Sequence, residues 1–185
     1  SHASKIFATP TTLRILIASG WKGDRTLDIL SGGEAISRDL ANELVPLCRT
    51  LYNVYGPTET TIFNTNKILN VSTEPVTIGR ALAGCRLYVI DNAGKLCPPQ
   101  VRGNLFIGGV CLAHGYMNKP ELTAERFVTD PFSDKGGAKM YNTGDVAYWT
   151  PEGEIVFLGR SDHQVKIRGY RIELGEIEQV LEGHP

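Results

Sequence analysis

The chain has 185 residues, 42% hydrophobic and 21% charged, with a formal net charge of −1. That composition is ordinary for a soluble globular protein, and the length suits one mixed domain or a domain plus the start of a second. Lys and Arg are scattered, which argues against a nucleic-acid partner. No apolar run reaches the ~18–20 residues that span a bilayer and no signal peptide is read at the start, so no membrane role and a cytoplasmic location are expected.

Residues 5–8 read as a short strand. Pro10 suits a first helical position, and Leu13, Leu16 and Ile17 give helical spacing up to Gly20. Residues 27–30 read as a buried strand ending at Ser31-Gly32-Gly33. Ser37 reads as the N-cap of a helix running to about Leu47, and 51–54 as a third strand. Strand–helix–strand alternation predicts a parallel sheet with functional loops at its strand ends.

The middle of the chain changes character. Short β-like runs at 76–78, 86–90, 104–107 and 141–143, separated by Gly, Pro and Asn turns, predict antiparallel sheet or a distorted barrel. Residues 123–127 could form a helical turn, and 133–137 an exposed loop. A hairpin is expected from 146–148 and 154–158, and a second strand pair from 165–167 and 170–172. Residues 174–181 have helical spacing. The fold class is therefore α/β: part of a parallel-sheet subdomain (1–75), an antiparallel or barrel-like subdomain (76–161), and the start of a small α+β subdomain (162–185).

The four cysteines, Cys48, Cys85, Cys97 and Cys111, lack paired metal spacing and read as free thiols. His2, His114, His163 and His184 have no metal spacing either. No Walker-type loop or nucleophile elbow occurs.

Three motifs could carry chemistry. Tyr55-Gly56-Pro57-Thr58-Glu59 follows an apolar strand. Gly56 would let a ligand approach the backbone, Thr58 offers a hydroxyl to phosphate, and Glu59 offers a carboxylate suited to Mg²⁺. Tyr55 could stack on a base. The plain alternative is a turn with an exposed acid. Thr143-Gly144-Asp145 ends a β-run, and its carboxylate can accept two hydrogen bonds from a ribose diol, or simply cap a turn. Gly159-Arg160-Ser161-Asp162 places a guanidinium able to reach ribose or phosphate beside a possible hinge at Asp162; the alternative is a surface ion pair.

Five stretches in order, LSGGEAIS (30–37), NVYGPTETT (53–61), GNLFIGGVCLAHGYMNKPELTAERF (103–127), YNTGD (141–145) and GRSDHQVKIRGYRIELGEIE (159–178), resemble adenylate-forming enzymes. They are most similar to the amino-acid-activating adenylation domains of nonribosomal peptide synthetases. The resemblance implies a nucleotide site of Gly33, Tyr55, Gly56, Thr58, Asp145, Phe157 and Arg160, with Mg²⁺ on Glu59. It implies an amino-acid pocket of Leu30, Gly32, Val54, Ile62 and Phe63, a hinge at Asp162, and Lys166 and Gly169 on a loop that swings in for thioester formation. Thr58, Glu59 and Lys166 would be the catalytic residues.

The implied chemistry makes an aminoacyl adenylate from ATP and an amino acid, releasing pyrophosphate. It then passes the aminoacyl group to the phosphopantetheine thiol of a peptidyl carrier protein domain, among neighbouring synthetase domains. Asn104, Cys111, His114 and Asn142 depart from the family pattern at positions that are not ligands. The family's phosphate loop and catalytic lysine would lie outside the chain, so it is expected to be inactive alone. An acyl-CoA or aryl-acid ligase of the same superfamily, or a non-catalytic scaffold module, are the alternatives.

Overall fold

The computed structural model describes residues 3–161, the strand residues 165–167 and 170–172, and residues 180–181. Its first sheet begins as predicted, with β1 (Lys5–Ala8), α1 (Pro10–Ala18), β2 (Asp24–Ser31), α2 (Arg38–Leu44) and β3 (Cys48–Tyr55). Thr9 caps α1 by accepting from the Thr12 amide at 3.2 Å, with Pro10 just inside the helix. Ser37 caps α2 through the Leu40 amide at 3.3 Å. The α2 run ends at Leu44 and tightens into a 3-10 turn at Val45–Leu47, where Pro46 cannot donate an amide. Leu13, Ile29, Leu40, Ala41, Leu44 and Leu51 form a core between helices and sheet with almost no exposure.

Strands β1, β2 and β3 are parallel, but β4 (Thr65–Leu69) and β5 (Arg80–Ala81) extend the sheet antiparallel. The sheet is therefore mixed. Strand β4 escaped the sequence reading because TNKIL has only two apolar residues. The predicted strand at 76–78 is irregular chain. The Arg38 guanidinium holds the preceding segment there, donating to the carbonyls of Glu74 at 2.7 Å and of Asn70 and Pro75 at 3.2 Å.

The second sheet is antiparallel, in the order β10 (Ile155–Arg160), β9 (Lys139–Trp149), β7 (Gly103–Gly109), β6 (Cys85–Ile90). Helix α3 (Pro120–Arg126) leads into β8 (Phe127–Thr129), which pairs with β9. The runs predicted at 141–143 and 146–148 are a single strand. Asn104 pairs with Val146 and Phe106 with Asn142, so Leu105 alone faces residues 143–145. This bulge absorbs Gly144, whose φ is 72°. A second bulge in β10 leaves Leu158 extra between Phe157 and Gly159. The strand pair β11 (Val165–Ile167) and β12 (Tyr170–Ile172) forms as expected. Of the helical run predicted at 174–181, all but the last two residues lie outside the described residues. Among the described residues no helix is long and apolar enough to cross a membrane.

A narrow seam joins the sheets. The Ile78 amide donates to the Ile155 carbonyl at 2.8 Å, and the Ile155 amide to Gly79 at 3.0 Å. Gly79 has φ 79°, and a Cβ there would lie 1.9 Å from the Asn66 carbonyl oxygen, so only glycine fits. Beside it, Glu154 pairs with Lys67 and accepts from Thr77 Oγ1 at 2.7 Å. Burial alone would raise the Glu154 pKa, but Lys67 and Thr77 outweigh it and hold the carboxyl below its ordinary 4.5. A carboxylate depressed in the native state contributes stability above its unfolded pKa and loses it as pH falls through the native value. Urea midpoints of the protein are therefore expected to drop as pH falls below about 4.5. Glu154→Gln is expected to cost about 1–3 kcal/mol at pH 7 and to flatten that acid limb. An unchanged acid limb would show that the seam does not depend on this ion pair.

Candidate functional site

Between the two sheets opens a cleft of about 860 Å³. Gly33 and Glu34 line it from the loop after β2, Asn53, Val54, Tyr55 and Gly56 from the end of β3, and Asp145, Phe157 and Arg160 from the second sheet. Six of the seven predicted nucleotide residues thus meet in one cavity: Gly33, Tyr55, Gly56, Asp145, Phe157 and Arg160. Thr58 is the exception; it sits exposed in the 3-10 turn Thr58–Thr60, just past the cleft.

Asp145 is the centre of the wall. It is buried, and the two bulges make it the cross-strand partner of Arg160. Arg160 Nη1 lies 3.0 Å from Oδ1, and the Tyr55 hydroxyl donates to Oδ2. The Asp145 amide donates to Thr143 Oγ1 at 3.0 Å, and that hydroxyl donates to the Leu105 carbonyl at 2.7 Å. Burial first, and then the Asp145 carboxylate, push the Tyr55 phenol well above its ordinary value, so it remains a neutral donor. The Tyr55 and Phe157 rings stand 6.2 Å apart at 39°, giving the cleft an aromatic floor. The expectation that Asp145 ends a β-run is corrected by the structure: it lies inside β9, brought into the cleft by the bulge at Gly144.

The opposite wall is fixed by Glu34. Its Oε2 accepts from the Thr11 amide at 3.2 Å and from Thr11 Oγ1 at 2.6 Å, tying the Gly33–Glu34 backbone to the start of α1. Gly33 has φ 84°, a conformation that side chains rarely adopt. Asn53 lines the same cleft and donates to the Thr77 carbonyl at 2.8 Å. The sequence reading missed Asn53, although the two-residue period of a strand puts it on the same face as Tyr55.

The loop after Tyr55 has its own scaffold. Asn64 is fully buried; it accepts from Thr60 Oγ1 and donates to the Thr60 carbonyl at 2.7 Å. Thr61 and Ile62 both have positive φ, 63° and 68°. A Cβ on Gly56 would stand 2.5 Å from both Ile62 O and Asn64 Oδ1. The glycine is therefore required by the chain's own loop, where the sequence had suggested room for a ligand. Glu59 is buried, and Tyr116 donates to its Oε1 at 2.7 Å. Among the described residues no group of three or more His, Cys, Asp and Glu converges as a metal site. Mg²⁺ commonly takes one or two carboxylates and completes its shell with phosphate oxygens and water; Glu59, beside Thr58, offers one carboxylate of that kind but is absent from the cleft lining.

Of the predicted amino-acid pocket, Val54 lines the cleft, and Leu30, Gly32, Ile62 and Phe63 do not. Gly32 packs beneath Val54 and Phe7, whose atoms would stand 2.7 and 3.2 Å from an added Cβ. Phe7 meets Phe63 edge-on at 5.1 Å, a ring contact that the sequence did not reveal. Leu30 is half-buried in β2, and Ile62 is 60% exposed. Lys166 lies in β11 opposite Arg171, in the strand pair read at 165–167 and 170–172. Asp162 and Gly169 lie outside the described residues.

A model of the family described as AMP-binding enzyme matches residues 1–117. The chain belongs to that family. It is 47% identical over 179 residues to a dimodular nonribosomal peptide synthase of Bacillus subtilis, covering 96% of this chain and 8% of the relative. Among solved structures it is similar to a protein containing adenylation and PCP domains bound to a vinylsulfonamide inhibitor, with a TM-score of 0.90, 30% identity, and 99% of this chain against 33% of that one. It is also similar to a four-domain nonribosomal peptide synthetase bound to AMP and glycine, with a TM-score of 0.81, 43% identity, and 98% of this chain against 14% of that one. The chain spans between 2% and 17% of the length of three curated relatives that it matches. Both structural neighbours carry the mixed α/β layout across nearly all of this AMP-binding-family chain.

Gly56→Ala is expected to lower stability by about 1–3 kcal/mol, through the clash with Ile62 and Asn64. Gly136→Ala, which meets nothing within 4 Å, should stay within about 0.5 kcal/mol. Denaturant midpoints of the two variants, compared side by side, check this.

Proposed function

We propose that the chain is part of an amino-acid-activating adenylation domain, in a protein that forms aminoacyl-AMP from ATP and an amino acid and releases pyrophosphate. The observation that carries this reading is the single cleft in which Tyr55, Gly56, Asp145, Phe157 and Arg160 converge. Membership of the AMP-binding family supports it, as does likeness to a peptide synthetase bound to AMP and glycine.

The residues suggest a division of labour. The Tyr55 and Phe157 rings offer an apolar surface to a purine, with Gly33 leaving one edge open. Asp145 accepts from the two ribose hydroxyls, for which Tyr55 gives up its present hydrogen bond. Arg160 pairs with that carboxylate and reaches the ribose itself. Thr58 donates its hydroxyl to the α-phosphate as an oxygen of the substrate carboxylate attacks phosphorus and pyrophosphate leaves. Glu59 would hold Mg²⁺, which when bound neutralises phosphate charge. The step needs charge stabilisation and alignment rather than a protein nucleophile.

Leu30, Gly32, Val54, Ile62 and Phe63 form the amino-acid pocket in this reading. The units 1–75, 76–161 and 162–185 act as two parts of a core and the beginning of a mobile subdomain. Asp162 is the hinge, and Lys166 travels with the part that serves transfer to a carrier-domain phosphopantetheine thiol. The whole protein is then a cytoplasmic enzyme of secondary metabolite biosynthesis, working beside neighbouring synthetase domains.

ATP–pyrophosphate exchange on the complete parent protein, with pooled amino acids against pooled aryl and fatty acids, tests the reading. Exchange with an amino-acid pool is expected. Exchange only with the other acids would move the protein to the acyl or aryl ligases, and none at all would favour a scaffold. In the active parent, Asp145→Ala is expected to lower kcat/KM for ATP about 10- to 150-fold, since it removes charge-assisted hydrogen bonds of about 1.5–3 kcal/mol.

A further inference from the structure

Of the five stretches singled out in the sequence, residues 103–127 give no residue to the cleft or to the chemistry above. Part of that stretch lies along the turn Thr58–Thr60 instead. The Ala113 amide donates to the Glu59 carbonyl at 2.8 Å, and Thr61 Oγ1 donates to the Cys111 carbonyl at 2.8 Å. Beside these backbone ties, the Tyr116 hydroxyl donates to Glu59 Oε1 at 2.7 Å.

Tyr116 is itself held on three sides. Its amide donates to Thr123 Oγ1 at 2.9 Å, and that hydroxyl donates to the Lys119 carbonyl at 2.9 Å, fixing the residue to the start of α3. A Cβ on Gly115 would stand 2.4 Å from Thr123 Cγ2, so the glycine lets the chain close this tightly on the helix. The Tyr116 ring meets Phe127 edge-on at 5.8 Å, and Phe127 meets Tyr141 at 5.0 Å. Phe127 and Tyr141 have almost no exposure, and the Tyr141 hydroxyl lies 3.3 Å from that of Tyr116.

The first strand, helix and sheet end thus supply Glu59, while α3, β8 and β9 supply the group that holds it. A phenylalanine at 116 would pack against Phe127 equally well. The hydroxyl is the part that addresses the carboxylate, and a buried carboxylate is costly without such donors. Glu59 stands outside the cleft lining, so how its carboxylate is held decides whether it can serve a metal at the phosphates.

We propose that Tyr116 is a positioning residue, whose hydroxyl presets the Glu59 carboxylate for a divalent cation that arrives with ATP. The proposal rests on the reading of Glu59 as the metal's carboxylate. Hydrogen-bond partners of a metal ligand fix its orientation, and losing one typically costs about 10- to 100-fold in metal affinity.

The test uses the complete parent protein without an amino-acid substrate, so that no adenylate forms. Calorimetric titration gives the Kd for ATP with excess Mg²⁺ and again with EDTA. The ratio of the two values reports how far the metal tightens nucleotide binding. Tyr116→Phe keeps the ring against Phe127 and removes only the hydroxyl. It is expected to lower that ratio about 10-fold and to leave the EDTA value unchanged. Glu59→Gln should lower the ratio at least as far. Equal weakening with Mg²⁺ and with EDTA would make Tyr116 a residue of the fold alone and overturn the proposal. An unchanged ratio in Tyr116→Phe, with a lowered one in Glu59→Gln, would overturn it too, while leaving the metal reading standing. A full ratio in Glu59→Gln would sink that reading itself, and the proposal with it.

Discussion

Asp145 holds the cleft together because it is a buried charge that has to be answered from two directions. A carboxylate removed from water is costly unless it is both paired and hydrogen-bonded. Here the pairing cation comes from β10 and the hydroxyl comes from Tyr55, at the end of β3 in the other sheet. Satisfying one side chain therefore brings the ends of both sheets to one point. The aromatic floor of Tyr55 and Phe157 then follows from the same convergence.

The two bulges are the geometric counterpart of that electrostatic requirement. In a regular antiparallel pair, the facing residues are fixed by register alone. Three residues of β9 opposite Leu105, and one additional residue in β10, shift the local register until Asp145 faces Arg160. Gly144 and Gly159 supply the unusual backbone angles, with φ of 72° and 127°. The glycines of TGD and GRSD thus belong to the aiming of neighbouring side chains.

Much of this was legible in the sequence, for definite reasons. Pro10, the cap at Ser37 and runs of apolar residues marked the helices and inner strands of the first sheet. Motif order brought Gly33, Tyr55, Gly56, Asp145, Phe157 and Arg160 onto one list, and the cleft unites them. What stayed hidden depends on contacts between distant residues. Strand β4 is half polar because its neighbours, rather than its own pattern, make it a strand. Asn53 is an ordinary polar residue until the Thr77 carbonyl arrives beside it. Phe7 gains its contacts only when Gly32 and Phe63 fold against it.

The left-handed pair Thr61–Ile62 has a consequence for how this molecule can change. Both residues are β-branched, and such backbone angles cost about 1–3 kcal/mol each outside glycine. The buried Thr60–Asn64 pairing keeps the chain in that shape. Ile62 itself is mostly exposed, so little packing is forfeited when it is exchanged. Replacement there by Asn or Gly relaxes the backbone and adds stability. A lineage drifting at this position therefore starts with a reserve, which it can spend on less favourable changes in the surrounding wall.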